Sequence, residues 1–426
     1  MSALSLTTLS TAHLGELLLN VASELAERTD HDPAELIWAL GSVGESIGQL
    51  GRSVGMGYSS AGFGYTEAWT DRATPDPHCL QGPLSIPGHE PARRVTPERL
   101  HRLTMYGLRE DVPGPQWASL FAATWTGYRA WYTSEGLDRR PDLATCRAAL
   151  QEHMPELVPT WQRLIDLAGG DPLAARMLSM WDTPTFATGC SQVVLDRRER
   201  VLIRNYDYDP ALFEQVVYSS RFGSRRVIGT ADCLWGLLDG MNDDGLVVSL
   251  TYGGRPGSGR GFAIPLVVRY LLEVCVTVEQ AQEVLERLPI AAAYNLTISD
   301  AYGATVTVFV APNSAPEVFD TPLATNHRGL VPEYPELARR FNSVERQDAL
   351  QQLLDSDAVT DRVTAAFLQA PLHNVAFSRG FATLYTAVYL PDRGIVNYLW
   401  PDASWRRGFD SPEGTKEIIL REPAAG

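Results

Sequence analysis

The chain has 426 residues, with 36 Lys plus Arg against 51 Asp plus Glu, a formal charge of −15, 45% hydrophobic and 20% charged residues. That is an ordinary globular balance, which excludes a disordered or fibrous chain, and its acidic sign argues against a nucleic-acid partner, whose phosphates need a basic stripe. No run approaches ~18 uninterrupted apolar residues, and the opening MSALSLTTLSTAHLGELLLN puts no positive charge ahead of its apolar residues, so the expectation is a cytoplasmic protein without a membrane partner.

In chain order, LGELLLNVASELAE (14–27) and PAELIWAL predict helices. A glycine-rich run between Gly41 and Gly64 and a proline-rich stretch ending at Pro97 follow. Residues 1–100 thus read as an extension, helical and Gly/Pro-rich. Residues 101–189 read as a helical region, because TPERLHRLTMYGL, GPQWASLFAATWTGYRAWYTSEGL, MPELVPTWQRLIDLAGG and DPLAARMLSMW carry apolar residues at three-and-four spacing. Within it, Gly169-Gly170 before Asp171-Pro172 marks a helix stop, then an N-cap and a first-turn proline.

Residues 190–426 switch to a period of two. SQVVL and VLIRNYDY flank a turn at Asp196–Arg200, and CLWGLL and LVVSLTY flank DGMNDDG. YNLTIS and ATVTVFV flank DAYG, and TLYTAVYL and IVNYLW flank PDRG. These four pairs predict hairpins. TVEQAQEVLERL has Thr277 and Gln280 at capping-box positions, and Ser343 is expected to cap VERQDALQQLL. Strands and helices without βαβ alternation predict an α+β fold, with helices covering antiparallel sheets.

Several chemistries drop out on residue type. Lys416 is the one lysine and lies in TKEIIL, so a Schiff-base lysine or a phosphate-loop motif is excluded. Cys79, Cys146, Cys190, Cys233 and Cys275 include no C-x-x-C, and no H-E-x-x-H occurs, so neither metal nor cofactor is expected. GGRPGSGRGF lies between a strand and a helix, but its glycines do not fit the dinucleotide pattern G-x-G-x-x-G.

What remains is Cys190. With a turn centred near 197–198, facing residues sum to about 395–397, which sets Cys190 opposite Asn205, Tyr206 and Asp207. Arg204 lies three residues before Asp207 on that strand, and Gly189 precedes the cysteine. An arginine beside a thiol lowers its pKa and favours thiolate, while a carboxylate can hold an ammonium group beside the sulfur. The bland alternative is a buried strand cysteine above a strand ion pair.

The motifs TGCSQ, RNYDYD, DGMNDDGLVVSLTYGG, RYLLEVC, LATNH and NSVER, in that order, resemble the cysteine-type N-terminal-nucleophile amidohydrolases. That family includes penicillin acyltransferase (acyl-coenzyme A:6-aminopenicillanic acid acyltransferase) and, more distantly, choloylglycine (bile salt) hydrolase. The resemblance is strongest over 183–350 and does not reach residues 1 to about 100. It implies a four-layer αββα sandwich and autocatalytic cleavage between Gly189 and Cys190. Cys190 would then carry the nucleophilic thiol, and its own α-amine would act as base. Arg204 would be the arginine beside the thiol, Asp207 the carboxylate orienting the amine, Asn326 of LATNH an oxyanion donor, and Arg346 of NSVER the completion of the charge network. Where bile salt hydrolases place a further asparagine this chain has SLTYGG, so a backbone N–H near Thr251 or Tyr252 is expected there. The partner would be a small-molecule amide or acyl donor, with the two processed chains associating and a homo-oligomer open.

Each assignment has a rival. Asn326 could cap a turn before His327, Arg346 could face solvent, and the Asn and Asp residues of MNDDG fit a hairpin turn. Cys190 could pair instead with His327 or His373 in a Cys–His enzyme without chain cleavage. A binding scaffold with the same fold is the third alternative. The aromatic helix around Trp117, Trp125, Tyr128, Trp131 and Tyr132 reads as core or as an acyl-pocket wall.

Overall fold

A computed structural model describes residues 99–377 and 380–423 of the chain. The helices expected at 14–27 and PAELIWAL, the glycine- and proline-rich stretches and Cys79 lie outside the described residues.

The first described element is a strand, β1 (Arg99–Glu110). Four helices follow: α1 (Pro115–Tyr132), α2 (Leu143–His153), α3 (Val158–Leu167) and α4 (Pro172–Leu178). Then come β2 (Gly189–Asp196), β3 (Arg200–Tyr208), β4 (Val216–Ser220), β5 (Val227–Asp232), β6 (Gly236–Asn242) and β7 (Val247–Tyr252). Helices α5 (Ile264–Val274) and α6 (Val278–Arg287) lead into β8 (Tyr294–Ser299), β9 (Thr305–Val310), β10 (Glu317–Phe319) and β11 (Leu323–Ala324). After α7 (Pro335–Arg340), α8 (Ser343–Asp355) and α9 (Thr360–Ala366) the chain closes with β12 (Ala382–Leu390), β13 (Ile395–Trp400), β14 (Ala403–Gly408) and β15 (Gly414–Glu422).

Among the described residues the strands form a nine-stranded sheet, β10-β9-β8-β7-β6-β5-β4-β1-β15, and a six-stranded sheet, β11-β2-β3-β12-β13-β14. Period-two alternation explains how they stack. On β2 and β3 one set of residues, Val193, Leu195, Val201 and Ile203, meets Leu350, Val363 and Phe367 on the helical side. The alternate set, Val194, Leu202 and Tyr206, joins the core between the sheets. A polar bolt also crosses that core, because Gln192 donates to Ser249 O at 3.1 Å and Thr297 Oγ1 at 2.8 Å and accepts from Ser249 Oγ at 2.6 Å. Helix α5, apolar nearly all round, covers the outer face of the nine-stranded sheet at β5, β6 and β7. The layers therefore run helix, sheet, sheet, helix, which is the αββα α+β architecture expected.

Three local expectations need correction. From Arg99 on, TPERLHRLTMYGL is not helical: its apolar positions also satisfy alternation, with Leu103, Met105 and Gly107 buried in turn. Pairing on both sides settles it as a strand, antiparallel to β15 and parallel to β4. In DGMNDDG the residues through Asn242 belong to β6, and the turn is shorter. Asn242 accepts from Leu246 N at 3.0 Å and donates to Leu272 O and Cys275 O, so it closes the turn and holds the end of α5. Ser343 does not cap α8: Asn342, at φ 49, takes that position, and the Ser343 hydroxyl turns inward to His327 Nδ1. The caps expected at Thr277 and Asp171 are made, to Gln280 N and Leu173 N. The dinucleotide alternative fails on topology, since β7 is antiparallel to both β6 and β8. The aromatic helix is core: Trp117, Tyr128, Trp131 and Tyr132 are buried, and Trp117 Nε1 donates to Leu234 O at 3.0 Å. No helix among the described residues is long and apolar enough to cross a membrane.

Removing the bolt between the sheets strands its buried partners Ser249 and Thr297 on β7 and β8. We expect Gln192→Ala to cost about 2–4 kcal/mol of stability, read as an earlier urea midpoint with an unchanged slope.

Candidate active site

The β2–β3 hairpin has the register read from the sequence, with Gly189 opposite Asp207, Cys190 opposite Tyr206 and Asp196 opposite Arg200. Arg204 and Asp207 lie three positions apart, an odd offset, so the strand sends them to opposite faces. Arg204 enters the space between the sheets on the side of the Cys190 sulfur. Asp207 lies on the helical side, under the Gly189 backbone. A Cβ on Gly189 would stand 2.9 Å from Asp207 Cβ, which accounts for glycine before the cysteine.

Arg204 has no exposed surface. One guanidinium nitrogen lies 3.4 Å from Cys190 Sγ and donates to Leu250 O at 3.0 Å. The other donates to Tyr385 OH at 3.0 Å and to the Asp239 carboxylate. Asp239 in turn accepts from Tyr385 OH at 2.7 Å and Thr230 Oγ1 at 2.8 Å, and also from Tyr389 OH. The sequence did not point to Asp239, 35 residues from Arg204. Its ion pair with Arg204 changes the expected electrostatics. Burial pushes the Cys190 thiol up, and Arg204 pulls it back only in part. In the continuous chain the thiol is therefore a neutral, buried donor-acceptor, 3.5 Å from Thr188 Oγ1, rather than the thiolate expected from the arginine alone.

On the helical side, Asn326 brackets Gly189, bonding the peptide groups before and after it. Its Oδ1 accepts from Cys190 N at 2.9 Å, and its Nδ2 donates to Thr188 O at 2.9 Å and to Tyr252 O at 3.3 Å. Arg346 is buried rather than solvent-facing. It donates to Asn326 Oδ1 at 2.6 Å, Ser191 Oγ at 2.7 Å and the Cys190 carbonyl, and it lies 3.6 Å from Asp207 Oδ2. Burial raises the Asp207 carboxyl, with Arg346 opposing, and Thr383 Oγ1 donates to it at 2.7 Å. The six residues Gly189, Cys190, Arg204, Asp207, Asn326 and Arg346 are thus brought together. Thr251 and Tyr252 lie at the end of β7 beside them, but it is the Tyr252 carbonyl, not an N–H, that meets Asn326. Thr251 Oγ1 donates to Thr325 O at 2.7 Å. Asn295, unmarked in the sequence, donates to Thr251 Oγ1, Thr325 O and His327 O and so holds the Asn326 segment in place. Gly254, at φ +70, lets the backbone pass the same segment, where a Cβ would stand 2.5 Å from Asn326 O.

His327 points away from the thiol. Its Nδ1 meets Ser343 Oγ and, at 3.4 Å, Thr325 Oγ1. Burial, with Arg346 assisting, lowers its pKa to about 4. His373 is likewise lowered by burial, with Asp207 opposing. Among the described residues the hydrogen-bond partners of Cys190 Sγ are Thr188 and Arg204, not a histidine.

Residues 194–405 match the family described as acyl-coenzyme A:6-aminopenicillanic acid acyl-transferase. A comparison with curated proteins returns no match. Among solved structures, a mutant conjugated bile acid hydrolase from Clostridium perfringens is similar at 14% identity over 53% of this chain and 96% of its own, with a TM-score of 0.35. Penicillin V acylase from Agrobacterium tumefaciens is 14% identical over 54% and 90%, with a TM-score of 0.37. The Caenorhabditis elegans ortholog of N-acylethanolamine-hydrolyzing acid amidase is 17% identical over 47% and 93%, with a TM-score of 0.36. Likeness at this level decides nothing about the chemistry of this chain.

The buried His327 has a pH consequence. Its pKa of about 4 lies below the ordinary 6.5, so it favours the folded state above pH 6.5 and loses that contribution as pH falls towards 4. His327→Asn should flatten the fall in urea midpoint over that window, a difference of no more than about 3 kcal/mol.

Proposed function

We propose that this chain, whose residues 194–405 are a domain of the acyl-coenzyme A:6-aminopenicillanic acid acyl-transferase family, is an autoprocessing cysteine N-terminal-nucleophile enzyme that cleaves or transfers an acyl group at a small amide bond. The family and the αββα sandwich support the coarser statement that the protein is a hydrolase or acyltransferase of amides. The finer reading rests chiefly on one observation. Cys190 is held at both of its reacting atoms, its nitrogen by Asn326 Oδ1 and its sulfur by Arg204.

In this reading the Cys190 sulfur attacks the Gly189 carbonyl carbon. A C–S bond forms, the Gly189–Cys190 C–N bond breaks, and the thiol proton ends on the departing nitrogen. Water then cleaves the thioester and the thiol is restored. The released α-amine is the base for later turnovers, since a free α-amine has a pKa of ~7.7–8.0 and can take and return a proton near neutral pH. Asp207, held by Arg346 and Thr383, supplies the negative charge for the ammonium form. The Asn326 amide nitrogen, engaged by Thr188 O in the continuous chain, is freed for the oxyanion of a substrate when that segment leaves. Arg346 keeps the Asn326 carbonyl turned to the Cys190 nitrogen. Whether water or an amine or thiol then receives the acyl group sets hydrolysis against transfer.

Intact mass under denaturing, reducing conditions tests this directly. Wild type should give two chains, residues 1–189 and 190–426, and Cys190→Ala one chain; an uncut wild type would remove the α-amine base and the mechanism with it. In the cut protein, Asp239→Asn leaves the Arg204 charge unneutralised beside the sulfur. The pH dependence of Cys190 alkylation should then move to lower pH, whereas Tyr385→Phe, which keeps the Asp239 charge, should leave it in place.

A further inference from the structure

Thr183–Thr188 runs irregularly into β2, and among the described residues it is held largely by side chains of the second half of the chain. Asn326 Nδ2 donates to Thr188 O at 2.9 Å. The Tyr294 hydroxyl donates to Phe186 O at 3.0 Å. The Phe186 ring lies 6.3 Å from that of Tyr208 and packs against the main core.

The chemistry of the first turnover gives this strap a meaning. When the Cys190 sulfur takes the Gly189 carbonyl, the product is a thioester whose acyl group is the strap itself. That thioester is the same functional group as an acyl-enzyme formed from a substrate amide. What grips the strap therefore grips the acyl half of a substrate, on the same side of the same sulfur.

Resting on the reading of Cys190 above, we propose that the Thr183–Gly189 cleft is the acyl subsite and that Tyr294 determines its specificity. The class it fits is an extended acyl group that carries a carbonyl acceptor about three residues, or roughly 10 Å, from the scissile carbon, as in amides of N-acylated amino-acid chains. Tyr294 is 3% exposed, and burial drives its phenol well above the ordinary value, so it stays a protonated donor. Once the strap has left, an acyl group with an acceptor at that depth restores the bond that Phe186 O made. An apolar acyl group leaves it unmade, and a site built around a buried donor discriminates against such a group.

The test uses the cut wild-type protein and cut Tyr294→Phe with two chromogenic p-nitroanilides. One carries acetyl-Phe-Ala-Thr-Gly as its acyl half, and the other the same chain with a trans-alkene in place of the Phe–Ala amide. Wild type should prefer the amide probe roughly 10- to 100-fold in kcat/KM, and in Tyr294→Phe the ratio should fall to about one. Protection of Cys190 from iodoacetamide by each probe, read by mass, gives the same comparison without turnover. Equal handling of both probes by cut wild type, or a preference that survives in Tyr294→Phe, overturns the subsite and leaves the reading of Cys190 standing. Should Tyr294→Phe not fold, the wild-type ratio alone decides. A wild-type chain that stays uncut overturns both.

Discussion

A guanidinium with no exposed surface is tenable only beside a carboxylate that is itself fully bonded, and Arg204 with Asp239 meets that condition. The pair is also the joint of the molecule. Arg204 comes from β3 and Tyr385 and Tyr389 from β12 in the six-stranded sheet, while Asp239 comes from β6, Thr230 from β5 and the Leu250 carbonyl from β7 in the nine-stranded sheet. One guanidinium nitrogen faces the Asp239 carboxylate, and the sulfur of Cys190 sits at the other, beside the Leu250 carbonyl. Removing either charge would leave the other buried and alone, which typically costs about 3–5 kcal/mol. The seat of the thiol and the stacking of the sheets are therefore one problem with one solution.

From that joint the strand pleat assigns work to the two faces. The inner face deals with the sulfur, through Arg204. The outer face deals with the backbone of Cys190, through Asn326 and Arg346, with Asp207 next to Arg346. This division lets a positive guanidinium and a negative carboxylate serve one residue without cancelling each other, since each already has a partner on its own face. The thiol is not ionised by its arginine, because desolvation by burial outweighs the pull of Arg204 and the Asp207 carboxylate adds to it.

Much of this was legible in the sequence, and the gaps have physical causes. The Cys190 hairpin could be placed because a short turn and a fixed period leave one register, and the α+β class followed from hairpins without βαβ alternation. Asp239 could not be found, because it looks like the first residue of a turn motif and its partner is on the other sheet. TPERLHRLTMYGL was misread because Leu103 and Met105 suit either period, and a strand there depends on neighbours hundreds of residues away. Ser343 was misread because a serine before an apolar run signals a cap, whereas buried His327 competes for its hydroxyl. Tyr294 carried no signal at all, since its acceptor is a backbone carbonyl on an irregular segment.

The pairing of β1 with β15 joins Arg99 to Glu422, the first and last strands of the described chain. Such a distant pairing closes late in folding, because the loop entropy must be overcome before the contacts form. Until then β1 is a bare edge, with backbone donors and acceptors open to any other chain. Among the described residues β15 ends that exposure and becomes the edge itself, and its sequence, GTKEIILRE, suits the position. It places Lys416, the chain's one lysine, beside Glu417 and follows with Arg421 and Glu422, charges that a neighbouring strand would have to desolvate. The residue that chemistry left without a role is thus one of the charges that blunt the open margin of the nine-stranded sheet.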